Sequence, residues 1–120
     1  MSRILLAIRF LLLLASAHAD DFFATKVEPI LRQRCFECHS HAGNIKGGLV
    51  LDSRSGWQTG GDSGPAVIPG NPEKSPLVRA VRYTDPDMEM PPKGKLPPSE
   101  IAVLEEWVKR GAVDPRETAT

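Results

Sequence analysis

The sequence lacks the residue patterns of several common protein classes. Only two of its 120 residues are cysteine and three are histidine, so no second pair of metal ligands follows the cysteines to complete a zinc site. No internal repeat is visible. The glycine-rich stretch at 60–64 neither follows a proper strand nor precedes a helix with a lysine, which argues against a phosphate-binding loop.

Long apolar runs are also missing, except at the N-terminus. There, Arg3 precedes an apolar run to Leu14 that Arg9 interrupts, and small residues follow in Ala17-His18-Ala19. This pattern predicts a secretory signal peptide at residues 1–19, although a retained N-terminal anchor is the alternative. The run is too short and too interrupted for a transmembrane helix. We expect a periplasmic or otherwise exported domain at residues 20–120, with no membrane span after cleavage.

Neither sign of charge dominates. Removal of Arg3 and Arg9 with the signal leaves 13 basic against 15 acidic side chains, so nucleic acid is not an expected partner. Roughly a hundred residues remain, enough for one domain with a small core that a large apolar cofactor would help to fill. Most of the 11 prolines and 10 glycines lie between Gly43 and Pro98, which predicts long loops there.

The most informative motif that is present is Cys35-Phe36-Glu37-Cys38-His39, called the pentapeptide below. This spacing is what covalent attachment of a c-type haem requires. The thiols of Cys35 and Cys38, at i and i+3, would each bond one haem vinyl group from a single turn of backbone. The imidazole of His39 would then bind the iron as the proximal ligand.

Three other interpretations of the two cysteines are weaker. A thioredoxin-like dithiol normally follows a strand, and strand patterning is weak before Cys35. A zinc site would draw on both cysteines, His39 and His41, yet Cys38 and His39 are neighbours that tend to point apart. A disulfide between Cys35 and Cys38 would close a very small loop and contribute little loop entropy.

Two helices are predicted near the ends of the domain. An apolar stripe from Asp21 to about Arg34 leads to the pentapeptide, and Pro29 within it requires either a kink or a fresh helix start. A second helix begins at Pro98 and stops at Gly111, with Trp107 on its apolar face. We expect Trp107 to pack in the core against Phe22 or Phe23.

The middle of the chain is predicted to contain one short helix and one short hairpin. Ser75 is the candidate N-cap and Pro76 the first residue of the helix, with Leu77, Val78 and Val81 facing inward. The candidate strands are Leu49–Leu51 and Ala66–Ile68, joined across the turn at 60–64. The remaining residues are predicted to be irregular.

A second axial ligand for the iron must come from another side chain. His18 leaves with the signal and His41 lies too close to His39, so the candidates are Met88 and Met90. Met90 is preferred, because the two prolines that follow it can hold a weakly binding thioether with little ordering cost. For Met88, a gap-filling core position is the more natural interpretation.

These motifs together resemble a class I type c cytochrome, and more narrowly the planctomycete-type cytochrome c domain, over roughly Phe23 to Pro115. The residues that carry the resemblance are the pentapeptide, 47–53, 60–66, 69–72, Ser75, Met90-Pro91-Pro92 and 107–112. The resemblance implies an all-α fold around one covalent haem, with Cys35 and Cys38 attached, His39 proximal and Met90 distal. Such domains often begin longer chains, so the sequence represents either a free-standing carrier or a piece of a larger protein.

Two filled axial positions favour electron transfer over catalysis, because the iron then has no open site for substrate. We therefore expect an electron carrier or relay with a redox partner protein, not an enzyme. The alternatives are a five-coordinate sensor or peroxidase-like enzyme, and a haem-bearing interaction module. Lys93, Lys95, Arg79 and the indole nitrogen of Trp57 are candidate contacts for a partner or a propionate, although a solvated surface is the simpler interpretation of each.

Overall fold

Four α-helices and the long loops between them make up the part of the chain that the computed structural model describes, residues 21–117. The α-helices are α1 (Glu28–Arg34), α2 (Arg54–Thr59), α3 (Pro76–Arg82) and α4 (Pro98–Lys109), with 3-10 turns at Lys46–Gly48 and Pro72–Lys74. Within this range no helix is long and apolar enough to cross a membrane. The predicted helical architecture is confirmed, whereas the predicted signal peptide lies outside the described residues.

The first helical segment accommodates its proline by widening. A π-helical turn at Phe23–Val27 runs directly into α1, and the backbone N–H of Glu28 donates to the carbonyl of Phe23, five residues earlier. Pro29 has no N–H, and its ring would crowd the carbonyl four residues before it in a regular helix. The wider turn relieves this crowding. Of the two alternatives left open at Pro29, a kink or a fresh helix start, the structure shows a π-helical turn that is followed directly by a new α-helix at Glu28.

An aromatic cluster at the centre of the core joins the two ends of the chain. The rings of Phe23 and Trp107 lie 5.7 Å apart between centroids. Trp57 meets Trp107 edge-on at the same distance, an arrangement that aromatic quadrupoles favour. Trp107 also donates its indole N–H to the carbonyl of Val113 at 2.9 Å. The predicted contact between α4 and the first helical segment is confirmed, with Phe23 as the partner.

The short middle helix α3 begins at Pro76 as predicted, and Leu77, Val78, Ala80 and Val81 are buried. Ser75 occupies the N-cap position, but its hydroxyl makes no capping hydrogen bond. It instead accepts from the backbone N–H of Ile68 and donates to the carbonyl of Asn71, both at 2.8 Å. Ser75 therefore fixes the preceding loop and does not cap α3.

The predicted hairpin is wrong, because no strand forms within residues 21–117. Leu51 donates its backbone N–H to His39 and Ala66 to Trp57, so the two candidate strands have other partners. The intervening helix α2 was missed, since Gly56 in its interior hides the helical pattern. A Cβ at Gly56 would lie 2.4 Å from the Val50 carbonyl, so this close approach requires glycine. The hydroxyl of Ser53 caps α2 by accepting from the N–H of Gly56 at 3.0 Å.

The tail after α4 folds back into the interior through a buried ion pair. Arg116 and Asp114 are 8% and 3% exposed, and the guanidinium donates to both carboxylate oxygens at 3.0 and 2.8 Å. Trp57, only 3% exposed, donates its indole N–H to Asp114 at 2.9 Å. The preferred interpretation of Trp57 as a solvated surface residue is therefore wrong, and so is a contact of its indole nitrogen with a partner or a propionate, because this nitrogen is used inside the fold.

Replacement of Trp107 tests this core. We expect Trp107→Ala to lower the free energy of unfolding by about 3–5 kcal/mol, because it leaves a cavity between the two ends of the chain. Trp107→Phe should cost less, since it keeps an aromatic ring and loses the hydrogen bond to Val113. Urea unfolding followed by circular dichroism measures both. The exposed Ala102→Ser in the same helix is the control, and a Trp107→Ala cost no larger than that of the control would contradict the assignment.

Candidate functional site

The pentapeptide forms a single turn that continues directly from α1. The backbone N–H of Cys35 donates to the carbonyl of Leu31 at 2.9 Å, so the turn is attached to the end of the helix. Within it, the N–H groups of Cys38 and His39 both donate to the carbonyl of Cys35, at 3.2 and 2.9 Å. Residues at i and i+3 of such a turn lie on the same side. This local geometry matches the requirement inferred from the spacing of the two thiols.

The loop after the pentapeptide folds back against it and donates hydrogen bonds to two of its carbonyl groups. Asn44 donates its backbone N–H to the carbonyl of Glu37 at 3.1 Å, and Lys46 donates to that of Cys38 at 2.9 Å. Gly43 lies so close that an added Cβ would be 2.5 Å from the Phe36 carbonyl. A side chain at this position would force the loop away, so glycine is required for the contact.

His39 presents one ring nitrogen to a backbone acceptor and keeps the other available. Its Nδ1 lies 3.2 Å from the carbonyl oxygen of Leu49. A carbonyl can only accept, so Nδ1 carries the hydrogen and Nε2 has the free lone pair. A hydrogen bond of this kind fixes both the tautomer and the ring orientation of a metal-binding histidine. Nε2 is therefore the atom through which the neutral imidazole of His39 could bind a metal.

Two further residues beside His39 were not recognised from the sequence. Leu51 donates its backbone N–H to the carbonyl of His39 at 2.8 Å. Asp52, 1% exposed, accepts hydrogen bonds from the backbone N–H and the Nδ1 of His41 at 2.7 and 2.9 Å. This contact engages only Nδ1 of His41, so the argument against His41 as an axial ligand continues to rest on its closeness to His39 in the sequence. These residues are separated from the pentapeptide by a loop, and no local spacing indicated the contact.

The two cysteines are free thiols in an environment unlike that of a reactive dithiol. Burial, together with the neighbouring Cys38 thiol, raises the pKa of Cys35 to about 12. Thioredoxin-like chemistry requires a lowered thiol pKa, so the structure argues against that alternative. Within residues 21–117, no three His, Cys, Asp or Glu side chains form a metal-binding group.

Met90 lies on a separate loop that is attached to α3. Its backbone N–H donates to the carbonyl of Ala80 at 3.1 Å, and the hydroxyl of Tyr83 donates to the carbonyl of Pro91. The side chain of Met90 is 41% exposed, whereas that of Met88 is half-buried. The backbone of Met90 is thus fixed by a hydrogen bond, whereas its thioether is exposed and does not pack in the core. Both properties would suit a ligand for an added group.

These residues fit a covalently attached haem. The donor set comprises two free thiols on one turn and an imidazole with Nε2 available. Cys35, Phe36 and Leu49 are partly buried against the hydrophobic core, so the turn has an apolar side. Ile45, which is exposed and paired with His39 through an isolated bridge, would lose water contact beneath a large ring attached here.

Within residues 21–117, one groove also lies on the charged surface away from the pentapeptide. A groove of about 550 Å³ lies between the Pro72–Lys74 turn and the helices α3 and α4. Its main cation, Arg82, is already paired with Glu73 at 2.8 Å and with Glu105 at 2.7 Å. Arg79, Lys93 and Lys95 are exposed, which agrees with the simpler interpretation of a solvated surface.

The raised pKa of Cys35 predicts slow alkylation of the haem-free chain. In a Cys38→Ser variant at pH 9, we expect iodoacetamide to react with Cys35 at least about tenfold more slowly than in concentrated urea, because only the thiolate reacts and burial, the larger cause of the raised pKa, persists in the variant. The rate should continue to rise above the pH at which the thiol of the unfolded chain is already ionised. Mass spectrometry measures the rate. Equal rates in buffer and in urea would contradict the burial of this thiol.

Comparison with known proteins agrees with these features. A family model described as Planctomycete cytochrome C matches residues 35–94, which is half of the chain and includes both the pentapeptide and Met90. No curated protein and no solved structure matches the chain. The family match begins at Cys35, the first thiol of the turn described above. The chain therefore belongs to the planctomycete cytochrome c family.

Proposed function

We propose that this protein is an exported monohaem c-type cytochrome that carries or relays electrons through an iron held by His39 and Met90. Membership of a cytochrome c family implies a haem cofactor, and cytochrome c domains are generally electron carriers rather than enzymes. The attachment through Cys35 and Cys38, the number of haems and the axial ligands are parts of the proposal. A bound haem would supply one-electron exchange between ferrous and ferric iron.

One observation carries the proposal: the hydrogen bond from Nδ1 of His39 to the carbonyl of Leu49. It leaves Nε2 available beside two free thiols that lie on the same turn. In the proposed function His39 binds the iron, and the Leu49 carbonyl keeps the imidazole in one tautomer and one orientation. Little movement of the ligand is then needed when the iron changes its oxidation state.

Met90 is the proposed distal ligand because its loop is held while its thioether is exposed. Thioether binding would fill the last axial position, which leaves no open site for a substrate. It would also place the reduction potential above that of an iron held by two histidines. This favours a carrier over the five-coordinate sensor or peroxidase-like enzyme. A separate redox protein is the proposed partner.

Export is proposed from the predicted signal peptide at residues 1–19. The haem would then be attached outside the cytoplasm, where the mature domain would also meet its partner. The weakly acidic balance of the mature domain gives no reason to expect nucleic acid there.

Loss of both thiols should abolish covalent attachment. When the protein is produced with the haem-attachment machinery, denaturing electrophoresis with haem staining should show cofactor that stays with the chain. Cys35→Ser combined with Cys38→Ser should remove that stain, because no thioether can then form. The exposed Ser63→Ala is the control and should keep it. Haem that leaves the unmutated chain on denaturation would refute covalent attachment.

The ferric absorption spectrum tests the distal ligand. We expect a weak band near the red end of the spectrum that is lost in Met90→Ala and kept in Met88→Ala, since only the former removes the proposed thioether. Met88→Ala is the matched control because it removes the same side chain two residues away. Ready binding of carbon monoxide by the unmutated ferrous protein would support the five-coordinate alternative and overturn methionine ligation.

A further inference from the structure

The segment Leu49–Asp52 lies against the end of the pentapeptide and the residues that follow it, and hydrogen bonds join the two at several points. The carbonyl of Leu49 accepts from the His39 ring at 3.2 Å, and the N–H of Leu51 donates to the His39 carbonyl at 2.8 Å. Asp52 completes the contact through His41. Side chain and backbone of His39 are thus both held by one short segment.

Asp52 is the only ionisable side chain of that segment, and its carboxylate is almost completely buried at 1% exposed. One oxygen accepts from the backbone N–H of His41 at 2.7 Å. The His41 Nδ1 lies 2.9 and 3.0 Å from the two carboxylate oxygens. All the hydrogen bonds that Asp52 accepts within the described residues therefore come from a residue two positions after His39.

A buried carboxylate is a poor means of stabilising a fold, since it must be removed from water. The carboxylate instead fixes the direction of the hydrogen bond from the His41 N–H, because a charged acceptor forms shorter and stronger hydrogen bonds than a neutral one. The N–H of His41 is therefore kept in one position, and with it the peptide units on the carboxyl side of His39.

We propose that Asp52 is a positioning residue for the proximal ligand, acting through the backbone N–H of His41. This inference rests on the proposed function, in which His39 binds the iron. Asp52 keeps the main chain of residues 39–41 beside Leu49–Asp52, so that Nδ1 of His39 remains on the Leu49 carbonyl. Without that constraint the ring is free to turn and the Nδ1 hydrogen bond weakens.

Loss of the Asp52 carboxylate should change the balance between the ferrous and ferric states of the bound iron. A strong hydrogen bond from Nδ1 raises the basicity of a histidine ligand, which favours the more highly charged ferric iron. We expect Asp52→Ala to raise the ferrous-to-ferric ratio at a fixed ambient potential by up to roughly tenfold, in proportion to the roughly 10–100-fold losses of metal affinity or activity that removal of such outer contacts causes. The g values of the ferric form, which depend on the orientation of the axial ligands, should shift as well.

Three further variants of the holoprotein make the test specific. Asp52→Asn keeps one acceptor oxygen for the His41 N–H and should restore most of the unmutated ratio and g values. His41→Ala removes the ring but keeps the backbone N–H, so its effect should be smaller than that of Asp52→Ala. The control is Asp62→Ala, an exposed aspartate whose backbone N–H, not its side chain, contacts Gly47. It should change neither measurement.

Three outcomes would overturn the proposed role of Asp52. A changed ratio with unchanged g values would mean that the charge acts directly, which overturns positioning. An equal effect of His41→Ala and Asp52→Ala would overturn the backbone route. Unchanged ratio and g values in a folded Asp52→Ala protein would overturn the role entirely, even if thermal stability falls. Failure of the proposed function is distinguishable, because the unmutated protein would then lack covalent haem or the methionine band.

Discussion

The two hydrogen bonds on the backbone of Leu51 connect the candidate site to the rest of the fold. Its N–H donates to the carbonyl of His39 at 2.8 Å, and its carbonyl accepts from the guanidinium of Arg116 at 2.9 Å. Arg116 is in turn paired with Asp114 inside the molecule. The turn that carries the thiols is therefore supported from behind by the C-terminal tail, and not only by α1 before it.

The interior combines an apolar part and a polar part with different tasks. The aromatic cluster of Phe23, Trp57 and Trp107 buries surface and joins the ends of the chain. The polar part is built on Asp52 and Asp114, and among the described residues no buried side-chain nitrogen or oxygen lacks a partner. Because polar contacts are directional, they can define an orientation that apolar packing alone would leave loose.

Local signals explain which features could be predicted from the sequence. Pro98 and Gly111 marked α4, and the spacing of Cys35 and Cys38 indicated a single turn. The hairpin was wrong because the short apolar runs 49–51 and 66–68 form hydrogen bonds with His39 and Trp57 instead of with each other. Asp52 could not be identified, since its contact with His41 spans 11 residues of irregular chain. The ligation by His39 and Met90 remains a prediction.

The contact between Arg116 and Leu51 spans 65 residues of sequence. Because of such long-range contacts, the region that carries the proposed ligands is shorter than the region that is needed for folding. The region 35–94 that matches the family holds every proposed ligand. Phe23 lies before that region, whereas Trp107 and Arg116 lie after it, and Phe23 and Trp107 pack together in the core. A variant shortened to residues 35–94 would keep every proposed ligand but lose Phe23, Trp107 and Arg116, which support the turn that carries the thiols. The smallest transplantable unit therefore extends from the first helical segment to the tail.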